Sequence, residues 1–187
     1  FTRGKSENKL GMRSSDTAML TFDNVRIPAD RLIGAEGDGF SQAMEVLDGG
    51  RIGIAALAIG LARGAFEASV QYVKERQQFG RPLAAHQAIQ WKIADMATGI
   101  AAARLLTRNA AELRGRGEPV TVAASQAKLF ASEIACRTAE EAVQIHGGYG
   151  FLKDFPVEKF YRDAKLLTIG EGTSEVQRMI IAKHVLR

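Results

Sequence analysis

One cysteine, Cys136, occurs in 187 residues, so no internal disulfide can form; this fits a reducing compartment. Only four prolines are present, which leaves long stretches free of helix breakers. The three histidines, His86, His146 and His184, lack metal-ligand spacing, and Cys136 has no partner for a zinc site. No nucleophile elbow and no phosphate loop is found. The longest apolar stretch, Ile52 to Ala62, is broken by Arg63 and reads as too short to span a bilayer. No run of five or more basic residues accompanies the net charge of +4. The basic residues therefore read as solvated helix faces rather than a nucleic-acid footprint, with room for local phosphate sites. No signal peptide is visible, and the start at Phe1 rather than Met leads us to expect a preceding segment.

What is present builds a globular chain. Hydrophobic residues make up 46% and charged residues 25%, a balance that supports a core and argues against disorder. Ala18 to Asp23 alternates, with Leu20 and Phe22 on one face, and reads as a strand. Val25 to Ile27 reads as its extended continuation, stopped by Pro28. A few strands alone would leave open edges, so residues 1–36 are expected to be the tail of a β domain. Gly34 to Gly39 reads as a hinge.

From residue 37 onward the pattern is helical. Helices are expected at about Phe40–Glu75, Ala84–Arg114, Val120–Ile145, Pro156–Leu167 and from Thr173 onward. Met44, Leu47, Ile54, Leu57, Leu61 and Val70 are the expected apolar positions of the first, and Ile89, Ile93, Met96 and Ile100 of the second. Pro119 suits a first turn. Long helices with short loops give the expected fold class: mainly α, an antiparallel helical bundle over residues 37–187 preceded by the β tail.

Several constellations could carry chemistry. Glu171 lies between Gly170 and Gly172, with Thr173 as an N-cap for the following helix. It reads either as a carboxylate that stabilises a helix start or as a general base held toward a cleft. Asp48, Gly49, Gly50 and Arg51 lie within the first helix. Two mid-helix glycines cost about 1 kcal/mol each relative to alanine, which tight helix packing or close approach of a ligand would offset. Arg76, Gln77, Gln78, Phe79 and Gly80, with His86 and Gln87, flank the turn between helices one and two; they read as ordinary termination or as phosphate and heteroaromatic contacts. Gln144, Ile145, His146, Gly147 and Gly148 end helix three as a C-cap or as space for a flat ligand.

Together with Leu10–Thr17, Phe22–Pro28, Gly37–Phe40, Tyr161–Ala164 and Glu171–Ser174, these stretches resemble the acyl-CoA dehydrogenase family, in family order along the whole chain. The likeness is greatest to short-chain and branched-chain members. It implies that Glu171 takes the α-proton of an acyl-CoA thioester while the β-hydrogen leaves as hydride to FAD. The thioester carbonyl would accept hydrogen bonds from the Glu171 N–H and a ribityl hydroxyl. Some relatives carry the base at the position matching Gly50, where this chain has no side chain. The resemblance implies FAD contacts for Arg76, Gln77, Gln78, Phe79, His86, Gln87, Gln144, Ile145, His146, Gly147, Gly148, Thr173, Ser174 and Glu175. It implies substrate contacts for Asp48, Arg51 and Gly172, and no metal.

The family pattern further implies an acyl-CoA substrate, an electron-transfer flavoprotein as partner, and a homodimer or homotetramer in which some contacts cross between subunits. Neither membrane nor nucleic acid is expected as a partner, and the location would be bacterial cytoplasm or mitochondrial matrix. Family members also carry an N-terminal helical domain and a complete β domain. The chain is accordingly expected to be the C-terminal portion of a longer enzyme and inactive alone. Two other readings stand beside this one: an oxidase of the same fold that passes electrons to oxygen, and a non-catalytic helical module for oligomerisation or nucleic-acid binding.

Overall fold

A computed structural model describes all residues 1–187. Two short strands come first, β1 (Thr2–Ser6) and β2 (Ala18–Thr21). They pair antiparallel, with Arg3 opposite Leu20 and an irregularity between Arg3 and Ser6. β1 has no alternating apolar pattern and was not foreseen. Val25–Ile27 forms no strand: no neighbouring strand lies beside it to complete a ladder. Phe1, Met19, Leu20 and Phe22 are all exposed.

The loop between the strands is tied to the helical part. The Met12 N–H donates to the Asp163 carboxylate at 2.6 Å, and Arg162 donates to the Leu10 carbonyl at 3.0 Å. Gly11 is required here, because a Cβ would come within 2.6 Å of the Arg162 carbonyl carbon. Burial works to raise the Asp163 carboxyl pKa, but the Lys159 ammonium and the Met12 N–H outweigh it and hold the group below its ordinary range.

The helices are α1 (Gly39–Glu75), α2 (Gln87–Gly115), α3 (Thr121–His146), α4 (Val157–Leu167) and α5 (Ser174–Val185). α2 begins three residues later than expected, because Leu83–Ala85 forms a separate 3-10 turn. Pro119 lies just before the α3 N-cap, Val120, rather than inside the first turn. Between α1 and α2, β3 (Gln77–Gln78) and β4 (Arg81–Pro82) form a two-residue hairpin.

Contacts fix the helix directions. Asp48 near the start of α1 meets Thr121 at the start of α3, and Tyr72 near its end meets His146. α1 and α3 thus run parallel. α2 runs against both, as the Lys92–Glu141 ion pair shows, and α4 also opposes α3 through Cys136 and Ala164. The result is the expected bundle.

Its core includes Leu61, Met96 and Ile100, as expected, and otherwise differs from the expected one. The buried residues of α1 are Ala55, Ala58, Leu61, Ala62, Ala65, Ser69 and Val73, joined by Arg51; those of α3 include Ala124, Ala127, Ala131, Ala135, Ala139 and Ala142. Repeated every three or four residues, these alanines make one narrow stripe per helix, and the two stripes meet in two clusters, one holding Ala58 and Ala131 and the other Ala65 and Ala142. Leu57 and Met44 are exposed instead. α1 is long and apolar enough, by composition alone, to cross a bilayer, which corrects the shorter span read from the sequence; here its small residues serve helix packing.

Candidate active site

Glu171 sits on the turn between α4 and α5 with φ +56°, and Gly172 follows at +88°. A left-handed conformation costs a residue with a side chain about 1–2 kcal/mol, so the surroundings must hold it. They do so through the two carbonyls. Gln177 of α5 donates to Glu171 O at 3.1 Å and to Gly172 O at 2.9 Å. Lys128 of α3, fully buried, donates to Gly172 O at 2.7 Å. Thr173 caps α5 as expected, its hydroxyl accepting from Val176 N–H.

The Glu171 side chain is half-buried and lies against α1 at Gly50. A Cβ at Gly50 would stand 2.8 Å from the Glu171 carboxyl carbon. The adjacent Gly49 makes room for the Arg114 guanidinium in the same way, with Cζ 2.6 Å from the position of a Cβ. Close approach of side chains, not of another backbone, therefore explains both mid-helix glycines. Arg51, the next residue after Gly50, is buried and pairs with Asp48 one turn back at 2.5 Å, and Asp48 accepts from the Thr121 hydroxyl. The Arg51 Nε has no partner. The carboxylate, its glycine and the Asp48–Arg51 pair thus form one cluster.

Thr173, Ser174 and Glu175 open on a groove of about 640 Å³ beside it, also lined by Cys136, Arg137 and Lys165. The Ser174 hydroxyl is buried there without a partner. Glu175 is held below the ordinary carboxyl range by its own backbone N–H and the Thr173 hydroxyl. Cys136 is half-buried and its thiol is pushed up by burial.

The remaining candidates gather elsewhere. Arg76, Gln78, Ile145, His146, Gly147 and Gly148 line a second groove, of about 490 Å³. The His146 ring is buried, stacks on Tyr72 with centroids 4.1 Å apart, and bonds through Nδ1 to Ala142 O at 2.7 Å. Burial lowers its pKa, so the ring is held neutral with the proton on Nδ1. Gly147 and Gly148 have open space where side chains would be. Gln77, Gln87 and Gln144 are exposed. His86 Nε2 meets Gln78 O at 3.2 Å. At the hairpin tip Phe79 has φ +53° and is 92% exposed; with Gly80 it meets the positive-φ requirement of a type I′ turn, which normally selects asparagine or glycine.

The two groups lie far apart. From Gly50 to Arg76 an unbroken helix advances about 39 Å at 1.5 Å per residue. The resemblance implies FAD contacts in both groups; the structure places the two groups well apart along α1.

The residues present fit a flavin nucleotide. The α5 N-terminus offers the orphaned Ser174 hydroxyl, while at the other groove Gly147 and Gly148 leave open space where side chains would be. Sequence reading missed Lys128, Gln177 and Arg114. Lysine at an otherwise alanine-lined helix face was the available signal for Lys128.

Comparison with known proteins follows this geometry. Residues 37–186 match the family model described as acyl-CoA dehydrogenase, C-terminal domain. The chain is 55% identical over 186 residues to an acyl-CoA dehydrogenase of Bacillus subtilis and 54% identical over 187 residues to the acryloyl-CoA reductase (NADH) of Anaerotignum propionicum, covering 100% of this chain and 49% and 48% of those relatives. The butyryl-CoA dehydrogenase structure from Megasphaera elsdenii superposes with a TM-score of 0.98 at 49% identity, covering 100% of this chain and 49% of that one. The chain spans about half the length of the curated relatives it matches.

Proposed function

We propose, from the premise that this chain belongs to the acyl-CoA dehydrogenase family, that it forms the C-terminal portion of an enzyme that oxidises a short acyl-CoA thioester to the trans-2-enoyl-CoA. Residues 1–36 would be the remnant of a β domain and residues 37–187 the helical domain. The observation that carries this reading is the Glu171 carboxylate on its strained turn, lodged against the side-chain-free Gly50.

Glu171 serves as the base. Its carboxylate takes the α-proton of the thioester, and the Glu171 N–H donates to the thioester carbonyl, whose oxygen gains negative charge as that proton leaves. Gly50 keeps the α1 side of the carboxylate clear. Arg51 and Asp48, fixed against each other, contact the CoA portion. FAD, when bound, supplies the hydride acceptor for the β-hydrogen. Thr173, Ser174 and Glu175 would hold it from the start of α5.

Arg76–Phe79, His86, Gln87 and Gln144–Gly148 would hold the flavin nucleotide of a second copy of the chain. The span of about 39 Å along α1 supports this assignment, and so does Phe79, strained and exposed with its ring edge toward His86. The working form is thus a homo-oligomer, with an electron-transfer flavoprotein as electron acceptor, in the bacterial cytoplasm or mitochondrial matrix.

The test is Glu171→Gln in the full-length flavoprotein. Turnover of butyryl-CoA should fall by about 100- to 10,000-fold, the contribution of a positioned base, with FAD retained. Activity within about tenfold of the parent sinks the assignment. Because one relative is named a reductase, the enoyl-CoA should be assayed in the reverse direction as well.

A further inference from the structure

Two buried ionisable side chains are not used by the proposed chemistry: Asp163, which is paired with Lys159 and the Met12 N–H, and Lys128. Lys128 is fully buried on α3, in a stripe made mostly of alanine and serine. Burying an amino group is costly unless a specific partner repays it. Its one recorded hydrogen bond goes to the Gly172 carbonyl.

That bond is not needed merely to satisfy the carbonyl. Gln177 already donates to Gly172 O, and to Glu171 O as well. Lys128 adds a second donor from a different helix, so the turn is gripped from α3 and from α5 together. Packing considerations alone would favour an apolar side chain of similar length at this position. The surroundings are also incompletely paired: Arg51 Nε, Ser125 Oγ (one turn before Lys128) and Gln177 Oε1 are all buried without partners.

We propose that Lys128 is a positioning residue for proton abstraction: its bond to the Gly172 carbonyl, braced by Gln177, locks the left-handed turn so that the Glu171 carboxylate stays over Gly50. This rests on the reading of Glu171 as the base. Desolvation lowers the Lys128 pKa, aided by Arg51 of α1, while Glu171 on the turn, Glu175 of α5 and Glu133 of α3 oppose that fall. The amino group donates to the carbonyl in either protonation state.

The experiment isolates the proton step. Acetyl-CoA has α-hydrogens but no β-carbon, so its exchange into D₂O, followed by NMR, reports proton abstraction without hydride transfer. In the full-length FAD-loaded enzyme, Lys128→Met should slow this exchange and kcat by about 100-fold, the scale of an ångström-level misplacement, with FAD content and the KM for butyryl-CoA unchanged. An exchange rate within about twofold of the parent overturns the proposal. Should Lys128→Met lose FAD, Lys128→Gln decides instead. Its amide keeps the site polar but ends one bond short of the carbonyl, so the same loss is expected and the same twofold result overturns.

Glu171→Gln, run alongside, separates the two readings. If it leaves exchange intact, the base assignment falls. If it abolishes exchange while the Lys128 variants leave it unaltered, only the role of Lys128 falls.

Discussion

Gly50 and Glu171 share one space: the carboxylate of the second occupies the volume that a side chain on the first would fill. The two are separated by most of the chain, and only the folded bundle brings them together.

Stability and activity should therefore move in opposite directions in Gly50→Ala. Alanine in a helix interior is favoured over glycine by about 1 kcal/mol, and the obstructed group is the mobile end of a glutamate. Urea unfolding should show an equal or higher midpoint. Turnover should fall by about 100-fold as the carboxylate is pushed aside. Unchanged turnover would mean that the carboxylate need not occupy this position.

Mixed oligomers test the division of labour along α1. Glu171→Gln and Arg76→Ala should each be inactive, the first lacking its base and the second its grip on a neighbour's nucleotide. Co-expressed, they should regain activity, because a mixed dimer places both lesions in one site and leaves the other whole. Random pairing in a two-fold dimer would restore about a quarter of the sites. No recovery in mixed oligomers of confirmed composition would place both sets of residues in one chain's site.

Acid should weaken the far end of the bundle through His146. Burial depresses its pKa in the folded state, so the unfolded chain binds the proton more readily. Its stabilising contribution is complete above the unfolded value of about 6.5 and is lost as pH falls through that value toward the folded one. Urea midpoints should decline as pH falls below about 6.5 in the parent. His146→Phe keeps a ring against Tyr72 and should flatten that decline; an equal slope in both proteins would assign it to other groups.

Much of this architecture was legible before any coordinates. Glycine and proline marked the helix limits to within about three residues, because the chain breaks where those residues remove a donor or a side chain. Thr173 was readable as a cap from its place alone. The core was not. Attention to Leu57 and Met44 followed hydrophobicity, whereas the contact between α1 and α3 selects for small size, so Ala58 and Ala131 take the buried places. β1 was invisible because nothing covers either face and no alternation is imposed on it. Lys128 and Gln177 were missed for a related reason: their partners are backbone carbonyls more than forty positions away in one case and on the preceding turn in the other, and carbonyls carry no sequence signature.

α1 carries one more implication. It runs for thirty-seven residues without a proline and carries both the Gly50–Glu171 contact and the approach to the hairpin, so the helix is a ruler as well as a scaffold. Gaining or losing a single residue between Gly53 and Val70 would swing one end about 100° relative to the other. Each end would then face the wrong neighbour, even with every side chain intact. Substitutions along this span are open to drift, but its register is not, and the number of residues in it should be as tightly held as the glutamate itself.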